Sequence, residues 1–306
     1  MKTVGAIIGI FVAIVVVASA IPIINSNDDK PQLDVFVVGG QSNTYPSIYV
    51  DADDATPIPT EGKGFYFGTD SAPTYNKSMD LASCGMYDLN DNGAARIGGL
   101  YPSFASAYTQ KTGNAVYLID TGLSGQPIST FMPGGSNYAW PGEVITAAMS
   151  VIPSTYSVNV RGYIWIHGEG DSSNPIQTYE ASMIKLHEIY SDGGLSIDLP
   201  TCYICKVRTA QGVNSSVAQQ WLTQNIPGFV MASTLPESFT TENGMLESDE
   251  LHYTQLGFNA LGEDLAENIP APAKPADYSD LILVVIPIML IAIVLMAVKM
   301  IYSRND

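Results

Sequence analysis

Cations are scarce in this chain: 13 Lys and Arg stand against 30 Asp and Glu, for a formal net charge of −17. A phosphate backbone needs a basic face to neutralise it, so this balance argues against nucleic acid as a partner. The same field disfavours an acidic substrate unless a local basic pocket offsets it. Charged residues of both signs reach only 14%, which leaves Ser, Thr, Asn and Gly to cover much of the surface. Cysteine is nearly missing, with three residues, too few for a disulfide scaffold. Cys202 and Cys205 form a C-x-x-C, but "PTCYICKVR" reads as a strand, on which residues three apart point to opposite faces. No second Cys or His pair lies nearby to complete a zinc site, so both are expected as buried thiols. Histidine is equally rare: His167, His187 and His252 are the whole set.

Apolar residues are plentiful at 46%, ordinary for a globular protein, and two long apolar runs lie at the ends. Val4 to Ile24 carries no charge, with Lys2 before it and Asp28 and Asp29 after it. Residues 1–24 therefore read as a signal peptide cut after the Ala18-Ser19-Ala20 triplet, or as an N-terminal membrane anchor. Leu281 to Val298 is an unbroken apolar run followed by Lys299 and Arg304. It is expected to be a transmembrane helix (281–298), kinked at Pro287, with a cytoplasmic tail at 299–306. The basic residues at both ends place the central domain outside the cell, anchored to the lipid bilayer. The Pro/Ala-rich 269–280 reads as a stalk. Asn76-Lys77-Ser78 and Asn214-Ser215-Ser216 are glycosylation sequons if the host modifies exported proteins.

Between these ends, β-branched apolar runs recur: "LDVFVVGG", "NAVYLIDTG", "VRGYIWIHG", "TCYICKVR" and "GFVMAST". Helix-like stretches alternate with them at Pro102–Lys111, Trp140–Val151, Gln177–Tyr190, Val217–Gln224 and Thr254–Asn268. Continuous apolar strands alternating with helices predict a three-layer α/β/α domain around a parallel sheet of about five strands. Tyr45 to Gly99, rich in Asp, Thr, Pro and Gly, reads as an irregular excursion over one edge.

Three polar segments leave the ends of predicted strands: "GGQSN" after the first, "TGLSGQPI" after the second and "HGEGD" after the third. In a parallel sheet those ends share one side, where ligands bind. Asp249 precedes His252 by three residues, just before the last helix. An Asp-x-x-His step on a loop can set a carboxylate on the imidazole Nδ1 and leave Nε2 for a nucleophile. By itself this pair is also compatible with helix capping. Ser124 and Ser136 complete no Gly-x-Ser-x-Gly elbow and read as turn residues; His187, within a predicted helix, reads as a satisfied or surface histidine.

"VVGGQSN" (Val37–Asn43), "WIHGEGD" (Trp165–Asp171) and "DELH" (Asp249–His252) resemble, in this order, the motifs of SGNH hydrolases of the sialate O-acetylesterase-like carbohydrate esterase branch. "GLYPSFASAY" and "SGQPISTF" resemble that branch's intervening segments, so the likeness covers most of residues 33–268. It implies a flavodoxin-like SGNH fold and a serine esterase acting on small acyl groups, chiefly acetyl, on glycans, with no cofactor or metal. Carried over by motif, Ser42 is the nucleophile, His252 its general base and Asp249 the residue that orients His252. The backbone N–H groups of Ser42 and Gly125 are the oxyanion donors. The third donor of the family is a Gln side chain, and here that position is His167, whose neutral ring still has one N–H to give. Thr44 replaces the usual Met. Gln41, Asn43, Glu169 and Asp171 match supporting positions, the two acids being read as holding their loop. Two other readings stay open: an SGNH fold retired from catalysis that binds glycan or serves a structural role, and a lipid-directed esterase using the same triad.

Overall fold

The computed structural model describes residues 30–44, 57, 59–70, 72–74, 76–90, 97–273 and 295. Lys30–Ala271 forms a compact unit. Eight strands join in one sheet: β1 (Gln32–Gly40), β2 (Gly64–Thr69), β3 (Ala72–Pro73), β4 (Gly85–Asp88), β5 (Ala115–Asp120), β6 (Ser157–Ile166), β7 (Cys202–Cys205) and β8 (Phe229–Ser233). The order is β3-β2-β5-β1-β6-β7-β8, with β4 also paired to β2. Among the described residues five α-helices accompany them: α1 (Tyr101–Thr112), α2 (Trp140–Ser150), α3 (Ile176–Ser191), α4 (Val213–Asn225) and α5 (Gln255–Asn268).

Alternation along β1 shows why three layers form. Leu33, Val35 and Val37 point into a core shared with α2, α3 and α4, through residues such as Val144, Met183 and Leu222. Phe36 and Val38 point into the opposite core, with Phe104 and Tyr108 of α1 and Phe258, Leu261 and Leu265 of α5. A strand buried on both faces reads as a continuous apolar run, hence "VFVV" at Val35–Val38, while the buried Asp34 before it accepts hydrogen bonds from Tyr108, Asn114 and Asn159. Phe36 anchors its side by meeting Phe104 and Tyr108 edge-on, at ring-centre distances of 5.4 and 5.2 Å. Cys202 falls in the first core and Cys205 in the second, both as free thiols. Helices α1 and α5 pack closely because Gly262 presents no side chain. A Cβ there would lie 2.0 Å from Ser103 Oγ and 2.6 Å from the Leu100 carbonyl oxygen.

Several expectations change. The sheet holds six parallel strands, not about five: β2 pairs parallel with β5, while β3 and β4 pair antiparallel with β2. The supposed irregular excursion thus supplies an extra sheet edge. Its strands are short and glycine-flanked ("GFYFGT" and "GMYD"), so they carry little periodic signal. No helix among the described residues is long and apolar enough to cross a membrane. Among the described residues the fold is the α/β domain, and the expected terminal transmembrane segments are not supported. The segments expected to span or anchor, 1–24 and 281–298, the tail 299–306 and most of the 269–280 stalk lie outside the described residues. The first residues of the expected stalk pack on the domain: Ile269 is fully buried in the α1/α5 core, and Arg161 donates to the Pro270 carbonyl at 2.8 Å.

Candidate active site

The parallel strands run outward from β1 in two directions, first to β2 and β5, then to β6, β7 and β8. The order reverses between β1 and β6, and outside the carboxyl ends of strands at such a point is where open α/β sheets bind ligands. Pairing brings the three strand exits level: Val38 lies opposite Asp120, and Gly40 opposite Ile166. Gly40 has φ of 138°, and a Cβ would sit 1.9 Å from the Ile166 carbonyl oxygen. Only glycine lets β1 stay this close to β6 as the chain turns out of the sheet. The next residues, Ser42–Thr44, form one 3-10 turn that presents the serine hydroxyl.

The far end of the chain meets that hydroxyl. His252 Nε2 lies 2.9 Å from Ser42 Oγ, and His252 Nδ1 lies 2.7 Å from Asp249 Oδ2. The other Asp249 oxygen accepts the Leu251 and His252 N–H groups at 2.9 and 3.0 Å. Slight burial pushes the Asp249 carboxyl up, but the hydrogen bonds from His252 and the backbone outweigh it and hold the group below its ordinary range. Tyr253, immediately after the histidine, is buried between Phe239 and Phe258. Burying such a ring contributes roughly 1.5–3 kcal/mol, so the loop is anchored where it enters α5. Thr254 caps that helix by accepting from Gly257 N at 3.2 Å.

Neighbouring side chains tie the turns together. Gln41 Oε1 accepts from the N–H groups of Gly168 and Gly170 at 3.1 and 3.2 Å. Asn43 donates to Glu169 Oε1 at 3.2 Å and to the Leu251 carbonyl at 3.3 Å, and accepts from Tyr253 N at 3.3 Å. Burial raises the Glu169 carboxyl, and its Oε2 has no hydrogen-bond partner among the described residues. Asp171, fully buried and likewise raised by burial, accepts from Ile128 N at 2.8 Å and from the Asn174 amide. The Ser42 and Gly125 N–H groups have no acceptor among the described residues, as an oxyanion site requires. Thr44 turns inward, donating to the Gln41 carbonyl at 2.9 Å.

His167 is placed differently from the expected donor. Its ring is 1% exposed and stacked on Trp165 and Tyr179 at centroid distances of 5.0 and 5.9 Å. Nε2 lies 3.0 Å from the Gln126 carbonyl, which can only accept, so Nε2 carries the proton. Nδ1 then accepts from the Tyr179 hydroxyl at 3.1 Å. Desolvation lowers the ring to about 4, so at neutral pH its 3.6 Å approach to Asp171 is not an ion pair. The single N–H is thus committed to protein and is not offered to an oxyanion in this conformation. His167 and Asp171 instead fasten the loop after β5, at Gln126 and Ile128, to the loop after β6.

The remaining candidates lie elsewhere. Ser124 and Ser136 are loop residues whose carbonyls accept from Gln126 and Lys77. His187 is half-buried on α3, with Nδ1 3.3 Å from the Tyr163 hydroxyl. Asn214 donates to the Asn174 carbonyl at 2.9 Å and Ser216 is buried, so the second sequon is built into the fold. Among the described residues no group of three or more His, Cys, Asp or Glu is arranged to hold a metal ion. Sequence patterns did not reveal Tyr179 and Gln219, which hold the His167 ring and carbonyl from α3 and α4. The only available signal is a polar residue on a helix face that should be apolar. Arg208 and Gln211, on the loop after β7, had no signal at all.

The carbohydrate esterase, sialic acid-specific acetylesterase family model matches residues 32–270. No curated protein sequence matches significantly. Among solved structures, a protein from Arabidopsis thaliana is similar at 17% identity and a TM-score of 0.55, over 78% of this chain and 97% of that one. NanS is similar at 13% identity and a TM-score of 0.50, again over 78% and 97%. At these identities the two structures speak for the fold alone.

Proposed function

The chain belongs to the carbohydrate esterase family of sialic acid-specific acetylesterases and is a carboxylic ester hydrolase; from that premise we propose that it removes acetyl groups from glycans through a Ser42–His252–Asp249 acyl-enzyme cycle. The observation that carries this reading is the unbroken hydrogen-bonded line from Asp249 Oδ2 through His252 to Ser42 Oγ.

His252 Nε2 takes the Ser42 proton as Oγ attacks the acetyl carbonyl. The developing oxyanion is met by the Ser42 and Gly125 N–H groups. Collapse of the tetrahedral species returns the proton from His252 to the departing sugar oxygen and leaves acetyl on Ser42. Water, deprotonated by His252, then attacks the acyl-enzyme, and acetate leaves as the proton returns to Ser42. Asp249 holds the ring tautomer with Nδ1–H throughout and stabilises the transient imidazolium.

Hydrolysis of p-nitrophenyl acetate tests the cycle. Ser42→Ala and His252→Ala are each expected to lower kcat by about 10⁴-fold or more. A fluorophosphonate probe should label the native protein and not Ser42→Ala. Native protein that neither turns over the ester nor takes the probe would make this an SGNH fold without esterase chemistry. Comparing acetylated sugars with short-chain glycerides identifies the preferred alcohol.

A further inference from the structure

Glu250, between the proposed acid and base, is the one non-glycine residue with positive φ among the described residues, at 56°. A left-handed residue with a Cβ is disfavoured unless its surroundings hold it. The peptide that follows Glu250 is gripped on both sides. Its N–H, on Leu251, points to Asp249 Oδ1 at 2.9 Å. Its carbonyl accepts from Arg208 Nη1 at 2.8 Å and from Gln211 Nε2 at 2.7 Å. Those donors share a tight turn after β7, in which the Arg208 carbonyl accepts from Gln211 N and Gly212 N.

We propose that Arg208 and Gln211 are positioning residues that clamp the Glu250 carbonyl, lock this peptide in its left-handed turn and so set the Asp249 carboxylate against His252. The inference rests on the triad reading above and extends it to the strand β7 loop. A cationic donor on the carbonyl also polarises the amide, strengthening the Leu251 N–H that Asp249 accepts. Without the clamp, the peptide relaxes to a right-handed or extended state. The Leu251 N–H then leaves Asp249, and the carboxylate no longer fixes the imidazole.

The test compares Arg208→Ala, Arg208→Lys, Gln211→Ala and Arg208→Ala/Glu250→Gly in p-nitrophenyl acetate hydrolysis, with Ser42→Ala alongside. Arg208→Ala is expected to lower kcat about 10- to 100-fold with KM within about twofold, the signature of misplaced catalytic groups. Gln211→Ala should lower kcat about two- to tenfold, as one hydrogen bond does. Arg208→Lys keeps a cationic donor and should recover part of the loss. Glycine adopts positive φ freely, so adding Glu250→Gly to Arg208→Ala should restore kcat by roughly fivefold or more. Normal kcat in both Arg208→Ala and Gln211→Ala, or a raised KM without rescue by Glu250→Gly, overturns the clamp and makes Arg208 a substrate contact or a bystander. If Arg208→Ala does not fold, Gln211→Ala and Arg208→Lys decide by the same criteria. Full activity in Ser42→Ala would instead bring down the serine mechanism itself, whatever the Arg208 variants do.

Discussion

At the scale of single residues, His167 shows how one substitution is absorbed. A histidine in place of an amide could have kept the same task by donating its N–H to an oxyanion. Here the ring lies in a dry aromatic sleeve and donates to the Gln126 carbonyl. Its depressed pKa couples folding to pH. Above pH 6.5 the ring is neutral in both folded and unfolded chains and contributes no pH dependence. Between 6.5 and about 4 the unfolded chain takes up the proton first, so stability falls as pH falls; a shift of that size corresponds to about 3 kcal/mol. Urea unfolding at pH 7 and pH 4.5 should therefore show a smaller acid loss for His167→Gln than for the native protein. Because a Gln amide can still donate to Gln126, that variant should stay within about tenfold of native activity, whereas His167→Ala, which frees the loop, should lose about 10- to 100-fold. Equal pH dependence in native and His167→Gln protein would contradict the neutral, buried ring.

Elements bring these residues together. Strand β1 is pinned between β5 and β6, and its register decides where the serine turn emerges. Helix α5 decides where the histidine loop ends, because Tyr253 and Phe258 are sunk in the core that α5 shares with α1. The α1/α5 contact is thus a remote support of the site. Gly262→Ala forces a methyl group against Ser103 Oγ and the Leu100 carbonyl. The helices must separate, which should destabilise the protein by about 1–3 kcal/mol. Chemical denaturation measures this directly; an unchanged midpoint would mean the two helices can slide apart without loss. The helices themselves were legible to within a few residues: Trp140–Val151 was expected against Trp140–Ser150 observed, and Thr254–Asn268 against Gln255–Asn268. Helix α4 starts four residues before the expected Val217, at Val213. Its first turn, "VNSS", looks like a loop because Ser215 and Ser216 are polar. Both are buried, and Ser215 donates to the Gly168 carbonyl at 2.9 Å.

For the whole molecule, charge is the property with kinetic consequences. A net charge of −17 repels anionic ligands over a distance set by the ionic strength. Raising salt from about 10 to about 500 mM shrinks the Debye length from about 30 Å to a few ångströms. For an acetylated sugar that carries a carboxylate, kcat/KM should therefore rise with salt. For a neutral acetylated sugar it should stay flat. Stopped or coupled acetate assays on both classes check this, and a falling rate for the anionic sugar would place a basic subsite near Ser42 that outweighs the global field.

The sequence by itself determined the layered α/β architecture, because strands buried on both faces must read as unbroken apolar runs and their helices as amphipathic intervals between them. It also pointed to Ser42, His252 and Asp249, through the resemblance of "VVGGQSN" and "DELH" to SGNH hydrolase motifs, since turn position alone does not separate them from Ser124 or from a helix cap. Only the tertiary structure decided that these three share one hydrogen-bonded line, that β2 extends the sheet from within an irregular stretch, and that the His167 N–H belongs to Gln126. It alone disclosed Arg208 and Gln211 on the Glu250 carbonyl. Periodicity records which face of an element is buried, and that is a local property. A hydrogen bond between residues some 40 positions apart depends on how separately formed elements are set against one another, and no local pattern carries that information.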